Sequence, residues 1–200
     1  KLINKSPLSH KQMQIFIDGL LAVCEGQALD KEFESKPCIQ MEEYIKMIDL
    51  KTGYLVGLAS QIGATAVNLD YKTSEAIRDY GRLLGRAFQI QDDYLEIFSN
   101  SKHMGKSLQS DILLGKKTFL MIQALEKDEE LIKNSIMIAE TDFEKGMNQI
   151  RDYMIKSGIK EIALEEVHKI IKLADSKLTS LNINSDKLLY FSELIKKRGN

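Results

Sequence analysis

The chain has 200 residues and a formal net charge of −1, a balance that leaves no basic footprint for nucleic acid. Its 44% hydrophobic and 28% charged residues exclude a disordered chain, and its length is that of one domain or slightly more. It contains only two prolines and two cysteines. Few prolines favour long helices, and two cysteines indicate free thiols in a reducing cytoplasm rather than a disulfide framework.

Helical periodicity recurs along the chain, and no strand-like alternation persists beyond a few residues. Apolar residues at helical spacing predict helices over 13–29 and 41–49. The uncharged run that follows, over 52–69, approaches the length of a membrane span. Because polar residues such as Gln61 and several glycines interrupt this run, we expect a buried helix and no membrane span.

The longest predicted helix covers 75–98, with Thr73 or Ser74 as its N-cap. Residues 99–115 lose the helical periodicity and predict a loop, after which a helix runs over 117–126.

Three further signals mark helices in the last third of the chain. Thr141 and Glu144 have the spacing of a capping box and open a helix that stops at Gly158. An amphipathic stripe predicts a helix over 161–181, and Ser185 caps the last helix. We therefore predict an all-α fold, in which all 200 residues form one compact helical bundle and a single domain.

Four polar side chains of the longest predicted helix fall on one stripe, and we call Gln89, Asp92, Asp93 and Glu96 the acidic strip. Their spacing of i, i+3, i+4 and i+7 places them on the same helical face. Neighbouring carboxylates repel each other, and a divalent cation relieves that repulsion. Carboxylate oxygens suit Mg²⁺, which commonly shares its coordination with substrate phosphates. Taken alone, the strip is equally compatible with a solvated acidic face.

Two observations favour a metal site over a solvated face. Gly81 and Gly85 lie four residues apart just before the strip. Since glycine weakens a helix interior by about 1 kcal/mol relative to alanine, the pair indicates close packing that would bury this helix. Basic residues follow the strip at Lys106, Lys116 and Lys117. Carboxylates, a metal ion and lysines that converge on one cavity describe a polyphosphate site.

Lys51 and Thr52 begin the uncharged run, and each allows two interpretations. Lys51 either extends to the surface or faces a bound anion. Thr52 either bonds a backbone carbonyl through its hydroxyl, which often bends a helix, or has a role in the site.

Several motifs occur in a fixed order along the chain. They are Gly26-Gln27 with Asp30, Leu50-Lys51-Thr52, Tyr80-Gly81 with Leu84-Gly85, Phe88-Gln89-Ile90-Gln91-Asp92-Asp93-Tyr94-Leu95-Glu96, Gly105-Lys106, Ser110-Asp111-Ile112 and Lys116-Lys117-Thr118. This ordered set resembles the trans-isoprenyl diphosphate synthases, also called polyprenyl synthetases. The resemblance extends over nearly the whole chain.

The resemblance implies an isoprenoid-synthase helical bundle around a central cavity. Family members ionise an allylic diphosphate with the help of two or three Mg²⁺ ions, and the double bond of isopentenyl diphosphate attacks the resulting carbocation. Loss of a proton then gives a longer linear (E)-prenyl diphosphate and pyrophosphate. Members also dimerise through helices that correspond to the start of this chain. We therefore expect a homodimer formed through the apolar face over 15–28.

The resemblance also implies roles for single residues. The residues that correspond to Mg²⁺ ligands are Asp92, Asp93 and Glu96. Those that correspond to diphosphate-binding lysines are Lys51, Lys106 and Lys116. Thr52 and Gln89 correspond to the pair whose oxygens face the carbocation. The remaining correspondences are Phe88 in the isopentenyl pocket, Gln27 and Asp30 on the cavity wall, and Asp111 as a partner of a metal ligand.

Two departures from the family pattern limit what this chain can do. Glu96 stands where the family has aspartate, which lengthens the side chain by one methylene. The family's first aspartate-rich motif is not found, since Asp92 and Asp93 are the chain's only adjacent aspartates. Because the chain also begins with Lys1 rather than methionine, we expect it to be the C-terminal part of a longer protein that lacks the N-terminal helices. The fragment alone is expected to be inactive.

Two other functions fit the same motifs. The first is a non-catalytic regulatory subunit of a heteromeric prenyl synthase, which would lack the first motif and pair with an active partner. The second is a terpene cyclase of the same fold. The Phe88-Gln89 and Asp92-Asp93 run and the Lys116-Lys117-Thr118 pattern fit chain elongation better than cyclisation.

Overall fold

A computed structural model describes residues 10–98, 112 and 114–198, and every regular element within these ranges is a helix. The α-helices are α1 (His10–Glu34), α2 (Met41–Ile48), α3 (Tyr54–Ala66), α4 (Tyr71–Phe98), α5 (Phe119–Lys127), α6 (Glu129–Thr141), α7 (Phe143–Lys156), α8 (Ile159–Thr179) and α9 (Asp186–Lys197). A π-helical segment, Asp49–Gly53, joins α2 directly to α3. The all-α prediction is confirmed.

Helix α4 is the central element of the bundle. It packs along α3 on one side and along α8 on the other, and it also contacts α2, α5 and α9. Its buried positions include Tyr80, Ala87, Ile90 and Ile97, which join one continuous apolar core. Each large apolar side chain buried in this way stabilises the fold by roughly 1.5–3 kcal/mol. This burial fixes α4, and therefore the acidic strip, relative to its neighbours.

Glycines bring α4 unusually close to the preceding helical run. A Cβ atom at Gly81 would lie 2.9 Å from the Gly57 Cα, and one at Gly85 would lie 2.8 Å from the Gly53 Cα. Such distances leave no room for a methyl group between the two backbones. The close packing predicted from Gly81 and Gly85 is therefore confirmed.

Two of the predicted N-caps were wrong by a few residues. Helix α4 begins at Tyr71, and Asp70 caps it by accepting hydrogen bonds from the Thr73 amide (3.0 Å) and hydroxyl (2.6 Å). Helix α7 is capped by Asp142, which accepts from the Lys145 amide (3.1 Å). In both cases a carboxylate, the stronger acceptor, stands near the predicted hydroxyl residue.

The sequence patterns missed two elements. The first is α6, whose first turn is capped by Asp128 through the Leu131 amide (3.0 Å). The second is the π-helical segment, because it leads into the uncharged run, where a shift in helical phase has no charged face on which to show. Ser185 occupies the predicted N-cap position of α9, but its side chain makes no capping hydrogen bond there. None of the helices in the described ranges has the length and apolar character needed to cross a bilayer.

Candidate functional site

A cavity of about 200 Å³ lies between the π-helical segment, α4 and the start of α5, and we call it the polar cavity. Four carboxylates and three lysines are among its lining residues. The lining consists of Asp30, Tyr44, Met47, Ile48, Lys51, Gln89, Asp92, Asp93, Glu96, Lys116, Lys117 and Thr118. All four members of the acidic strip are included. A larger groove of about 680 Å³ between α6 and α7 has none of the predicted site residues in its lining.

Asp93 is the most enclosed carboxylate of the polar cavity, with 6% of its surface exposed. Its Oδ2 accepts hydrogen bonds from the Tyr44 hydroxyl (2.7 Å) and the Phe119 amide (3.2 Å). Its Oδ1 accepts from Gln89 Nε2 (3.1 Å). These three donors come from α2, α5 and α4, so Asp93 links the elements that surround the cavity.

Burial changes the protonation of this carboxylate. Loss of solvent raises the pKa of Asp93 to about 6, although the hydrogen bonds from Tyr44, Gln89 and Phe119 act in the opposite direction. Burial, together with the charge of Asp93, raises the pKa of Tyr44 well above its ordinary value. Tyr44 therefore remains a hydrogen-bond donor at neutral pH. A nearby cation would favour the charged form of Asp93 and lower its pKa.

Titration of Asp93 is expected to make the chain less stable as the pH rises from about 4 to about 6. An unfolded aspartate has a pKa of about 3.9, whereas the folded value is about 6. Within this interval the folded chain holds a proton that the unfolded chain has lost, so each rise in pH favours unfolding. The loss is complete above the folded pKa. It amounts in total to about 3 kcal/mol, of which about 2 kcal/mol is lost above pH 4.

Asp93→Asn removes this titration and serves as the reference. We expect the unfolding free energy of the wild type, minus that of the variant, to fall by about 2 kcal/mol between pH 4 and pH 7.5 in urea titrations. An equal difference at the two pH values would contradict the raised pKa of Asp93.

Thr52 and Gln89 are in direct contact. The Thr52 hydroxyl donates to Gln89 Oε1 (3.0 Å), and Gln89 in turn donates to Asp93. The alternative in which Thr52 bonds a backbone carbonyl and bends the helix is therefore wrong. The irregularity at this point is the π-helical segment, which places Thr52 opposite α4. Hydrogen bonds thus connect Thr52 to Gln89 and Gln89 to Asp93.

Lys51 is directed at a carboxylate. Its Nζ lies 2.6 Å from Asp30 Oδ2, and 32% of the Lys51 side chain is exposed. Gln27 donates to the same oxygen through Nε2 (3.3 Å) but does not line the polar cavity. The ammonium group of Lys51 thus pairs with a carboxylate of the chain itself, and its role at a bound anion stays a prediction.

The C-terminal end of α9 contacts the acidic strip. The Arg198 guanidinium lies 3.1 Å from Asp92 Oδ1 and 4.4 Å from the centroid of the Phe88 ring. Gln91 donates to the Arg198 carbonyl. Phe88 is exposed and lies outside the lining of the polar cavity. The basic end of the last helix is therefore in contact with the first aspartate of the pair.

The other predicted basic residues fall partly outside the described part of the chain. Lys116 lines the polar cavity beside Lys117, whose Nζ donates to the Gly115 carbonyl (2.6 Å). Burial lowers the pKa of Lys117 from its ordinary value. Lys106 and Asp111 lie outside the described residues, and their roles stay predictions.

The donor set fits a magnesium ion that is shared with a phosphate ligand. Within the described ranges, no three histidine, cysteine, aspartate or glutamate side chains are arranged to hold a metal ion by themselves. Mg²⁺ usually binds one or two carboxylates and completes its octahedron with water and phosphate oxygens. Asp92 is part-exposed, and Asp93 already accepts three hydrogen bonds. Asp92 is therefore the carboxylate of the pair that is better placed to contact an ion.

Sequence reasoning missed Tyr44, the donor from α2 that holds Asp93. Its contact with Asp93 joins residues 49 positions apart, for which the sequence carries no periodic signal. Sequence reasoning also missed the ion pairs that Asp49 forms with Arg82 and Arg86 behind the π-helical segment.

Comparison with known proteins places this arrangement in context. Residues 1–154 match the family model described as "Polyprenyl synthetase". The chain is 33% identical over 177 residues to a short chain isoprenyl diphosphate synthase of Methanothermobacter thermautotrophicus, covering 88% of this chain and 54% of that protein. It is 33% identical over 194 residues to a geranylgeranyl diphosphate synthase of Sulfolobus acidocaldarius, covering 94% and 59%.

The fold is also shared with solved structures. The geranylgeranyl pyrophosphate synthetase from Pyrococcus horikoshii Ot3 superposes with a TM-score of 0.85 at 28% identity, over 98% of this chain and 62% of that one. The chain thus spans little more than half the length of the curated relatives described above.

Proposed function

The chain belongs to the polyprenyl synthetase family, and on this basis we propose that the protein containing it is a prenyltransferase. It joins an allylic diphosphate to isopentenyl diphosphate and releases a longer linear prenyl diphosphate and pyrophosphate. The observation that carries the proposal is the polar cavity, which is lined by the acidic strip together with Lys51, Lys116 and Lys117. Apposed carboxylates and ammonium groups are suited to bind a magnesium diphosphate.

The proposed reaction begins with cleavage of the carbon–oxygen bond of the allylic diphosphate, whose electron pair leaves with pyrophosphate. In this step Lys51 and Lys116 neutralise phosphate oxygens. The Thr52 and Gln89 oxygens lie within hydrogen-bonding distance of each other and stabilise the positive charge that develops on the allylic carbon. The double bond of isopentenyl diphosphate then forms the new carbon–carbon bond, and the pyrophosphate takes the proton that is lost.

We further propose that the intact enzyme binds its diphosphate substrate together with two or three Mg²⁺ ions. Asp92, Asp93 and Glu96 would hold magnesium at this site. Magnesium bound there would stabilise the charge of the leaving pyrophosphate. Asp92 must exchange its contact with Arg198 for the metal. Asp93, fixed by Tyr44 and Phe119, orients the acidic strip and can reach the ion through water.

One experiment distinguishes this function from its alternatives. The complete gene product is incubated with an allylic diphosphate, isotopically labelled isopentenyl diphosphate and Mg²⁺, and the products are separated by chain length. We expect labelled linear diphosphates longer than the substrate. Absence of product from a folded protein would favour the non-catalytic subunit, and an unlabelled cyclic hydrocarbon would favour the cyclase. The present 200 residues alone, with one aspartate pair, are expected to give no product.

We also propose that the protein is a homodimer, formed through an apolar face of α1. Ile17, Leu20 and Leu21 on this helix are 43%, 44% and 64% exposed. A cluster of this kind on one helical face is typical of an interface.

Leu21→Glu is therefore expected to raise the dimer dissociation constant at least tenfold in sedimentation experiments. Met137→Glu is the matched control, because Met137 is 65% exposed but lies on α6. A dimer that resists Leu21→Glu, or a wild type that is monomeric at high concentration, would contradict this interface.

The two cysteine thiols bear on the cellular compartment of the protein. Cys24 and Cys38 are both free and both exposed. Exposed free thiols persist where glutathione and thioredoxin keep them reduced. We propose on this ground that the protein works in the cytoplasm.

A further inference from the structure

The π-helical segment Asp49–Gly53 carries two residues of the proposed active site, Lys51 and Thr52. Its hydrogen bond runs from the Tyr54 amide to the Asp49 carbonyl, five residues back. One residue more than an α-helical turn rotates everything that follows by about 100°. Such insertions are rare and are frequently found at functional sites. Here the insertion accompanies the placement of Lys51 against Asp30 and of Thr52 against Gln89.

Asp49, the first residue of the segment, contacts α4 at a place outside the lining of the polar cavity. Asp49 is buried, and its Oδ1 accepts a hydrogen bond from Arg86 Nε (2.8 Å) while its Oδ2 pairs with the Arg82 guanidinium. Burial raises the pKa of Asp49, but the contacts with Arg86 and Arg82 outweigh it, so the pKa lies below its usual range. A charged carboxylate therefore anchors the segment to α4.

Arg82 also contacts the far end of the segment. Its guanidinium carbon lies 4.0 Å from the centroid of the Tyr54 ring, and Tyr54 is the residue that directly follows Gly53. A Cβ atom at Gly53 would lie 2.7 Å from Asp49 Oδ1, so glycine leaves the space that the carboxylate occupies. Arg82 thus brackets the π-helical segment from both ends.

The ion pairs of Asp49 with Arg82 and Arg86 are not expected to add much to the stability of the fold. A buried ion pair contributes little net stability, because desolvation offsets the Coulombic gain. What the pairs do fix is geometry, since the same α4 that holds Asp49 through Arg82 and Arg86 also carries Gln89 one turn later. The arginines that hold Asp49 and the Gln89 side chain of the site therefore lie on the same helix.

We propose that Asp49 is a positioning residue, which together with Arg82 and Arg86 holds the π-helical segment in the register that directs Lys51 Nζ at a bound diphosphate and Thr52 Oγ1 at Gln89. This inference rests on the proposed function of the polar cavity. Asp49 itself faces α4 and does not line that cavity.

The test compares Asp49→Asn with Asp79→Asn in the complete gene product that contains the chain. Asp79 lies on α4 and, like Asp49, pairs with an arginine, Arg78, but its side chain is 40% exposed. In Asp49→Asn we expect backbone amides over 50–54 to exchange with solvent at least tenfold faster, with other helices unchanged. Affinity for inorganic pyrophosphate in Mg²⁺, measured by calorimetry, is expected to fall about tenfold. Asp79→Asn should alter neither quantity by more than twofold.

A double-mutant cycle separates positioning from general loosening. If Asp49 acts through Lys51, then Asp49→Asn should weaken pyrophosphate binding much less when Lys51 is already methionine. Should Asp49→Asn fold poorly, Arg86→Gln removes one contact and keeps the Arg82 pair. For that variant we expect the same pattern with a threefold loss of affinity.

Three results would overturn the inference. The first is unchanged exchange and binding in Asp49→Asn. The second is an equal loss of affinity with and without Lys51, which would indicate general loosening. The third is a wild-type complete gene product that does not bind pyrophosphate at all. That result overturns the proposed function as well, whereas the first two leave the proposed function intact.

Discussion

Replacing Lys51 with methionine is expected to weaken binding of magnesium pyrophosphate by about 30-fold. Charge-assisted hydrogen bonds contribute about 1.5–3 kcal/mol each, and Lys51 lines the polar cavity together with the acidic strip. Methionine keeps most of the aliphatic stem, so packing against neighbouring residues is retained. Calorimetric titration of the 200-residue chain with inorganic pyrophosphate in Mg²⁺ measures the effect.

The change also leaves Asp30 without its ion pair, which requires a control. Breaking a partly buried pair can destabilise the fold, so binding is measured as well in the double variant Lys51→Met with Asp30→Asn. Lys46→Met is the matched surface control. Lys46 also pairs with a carboxylate, Glu25, but its side chain is 64% exposed and the two charged groups are 3.6 Å apart. Binding that survives in the double variant would contradict a role of Lys51 at the diphosphate.

Replacing Gly26 with alanine is expected to be among the most destabilising single-methyl changes in this chain. A Cβ atom there would lie 2.7 Å from the Lys51 Cα and 2.8 Å from the Leu50 carbonyl carbon, with the Lys51 nitrogen closer still. All three are backbone atoms, which cannot rotate away. Helix α1 and the π-helical segment would have to separate, and overpacking of this kind costs about 3 kcal/mol.

Gly63→Ala provides the opposite expectation on the same scaffold. Nothing lies within 4 Å of a Cβ atom at Gly63, which stands inside α3. Alanine there should stabilise the chain by about 0.5–1 kcal/mol, because it restricts the unfolded backbone. Urea unfolding of the two variants measures both effects. A Gly26→Ala variant as stable as the wild type would contradict the close approach of α1 to the π-helical segment.

Those parts of the site that depend on helical periodicity could be predicted from the sequence. Gln89, Asp92, Asp93 and Glu96 are three and four residues apart, so a helix necessarily places them on one face. The close packing at Gly81 and Gly85 followed from the unfavourable helix propensity of glycine. The contact between Thr52 and Gln89 followed only from the family resemblance, because it joins residues 37 positions apart.

The remaining features depend on tertiary contacts that leave no periodic trace. The burial of Asp93 requires donors from α2 and α5 at once, so the sequence could not distinguish it from its part-exposed neighbour Asp92. The π-helical segment adds one residue without changing the residue types around it. The anchor of Asp49 on α4 and the contact of Arg198 with Asp92 span 33 and 106 positions.

The most direct test of the central claim, that the polar cavity binds a metal diphosphate, is a crystal structure of the chain grown with Mn²⁺ and inorganic pyrophosphate. Mn²⁺ takes the oxygen ligands of Mg²⁺ and is located by its anomalous scattering. We predict an anomalous peak bonded to an Asp92 carboxylate oxygen, with Arg198 displaced and pyrophosphate between the metal and Lys51. Metal and pyrophosphate bound only elsewhere, with the Asp92–Arg198 and Lys51–Asp30 pairs intact, would contradict the claim.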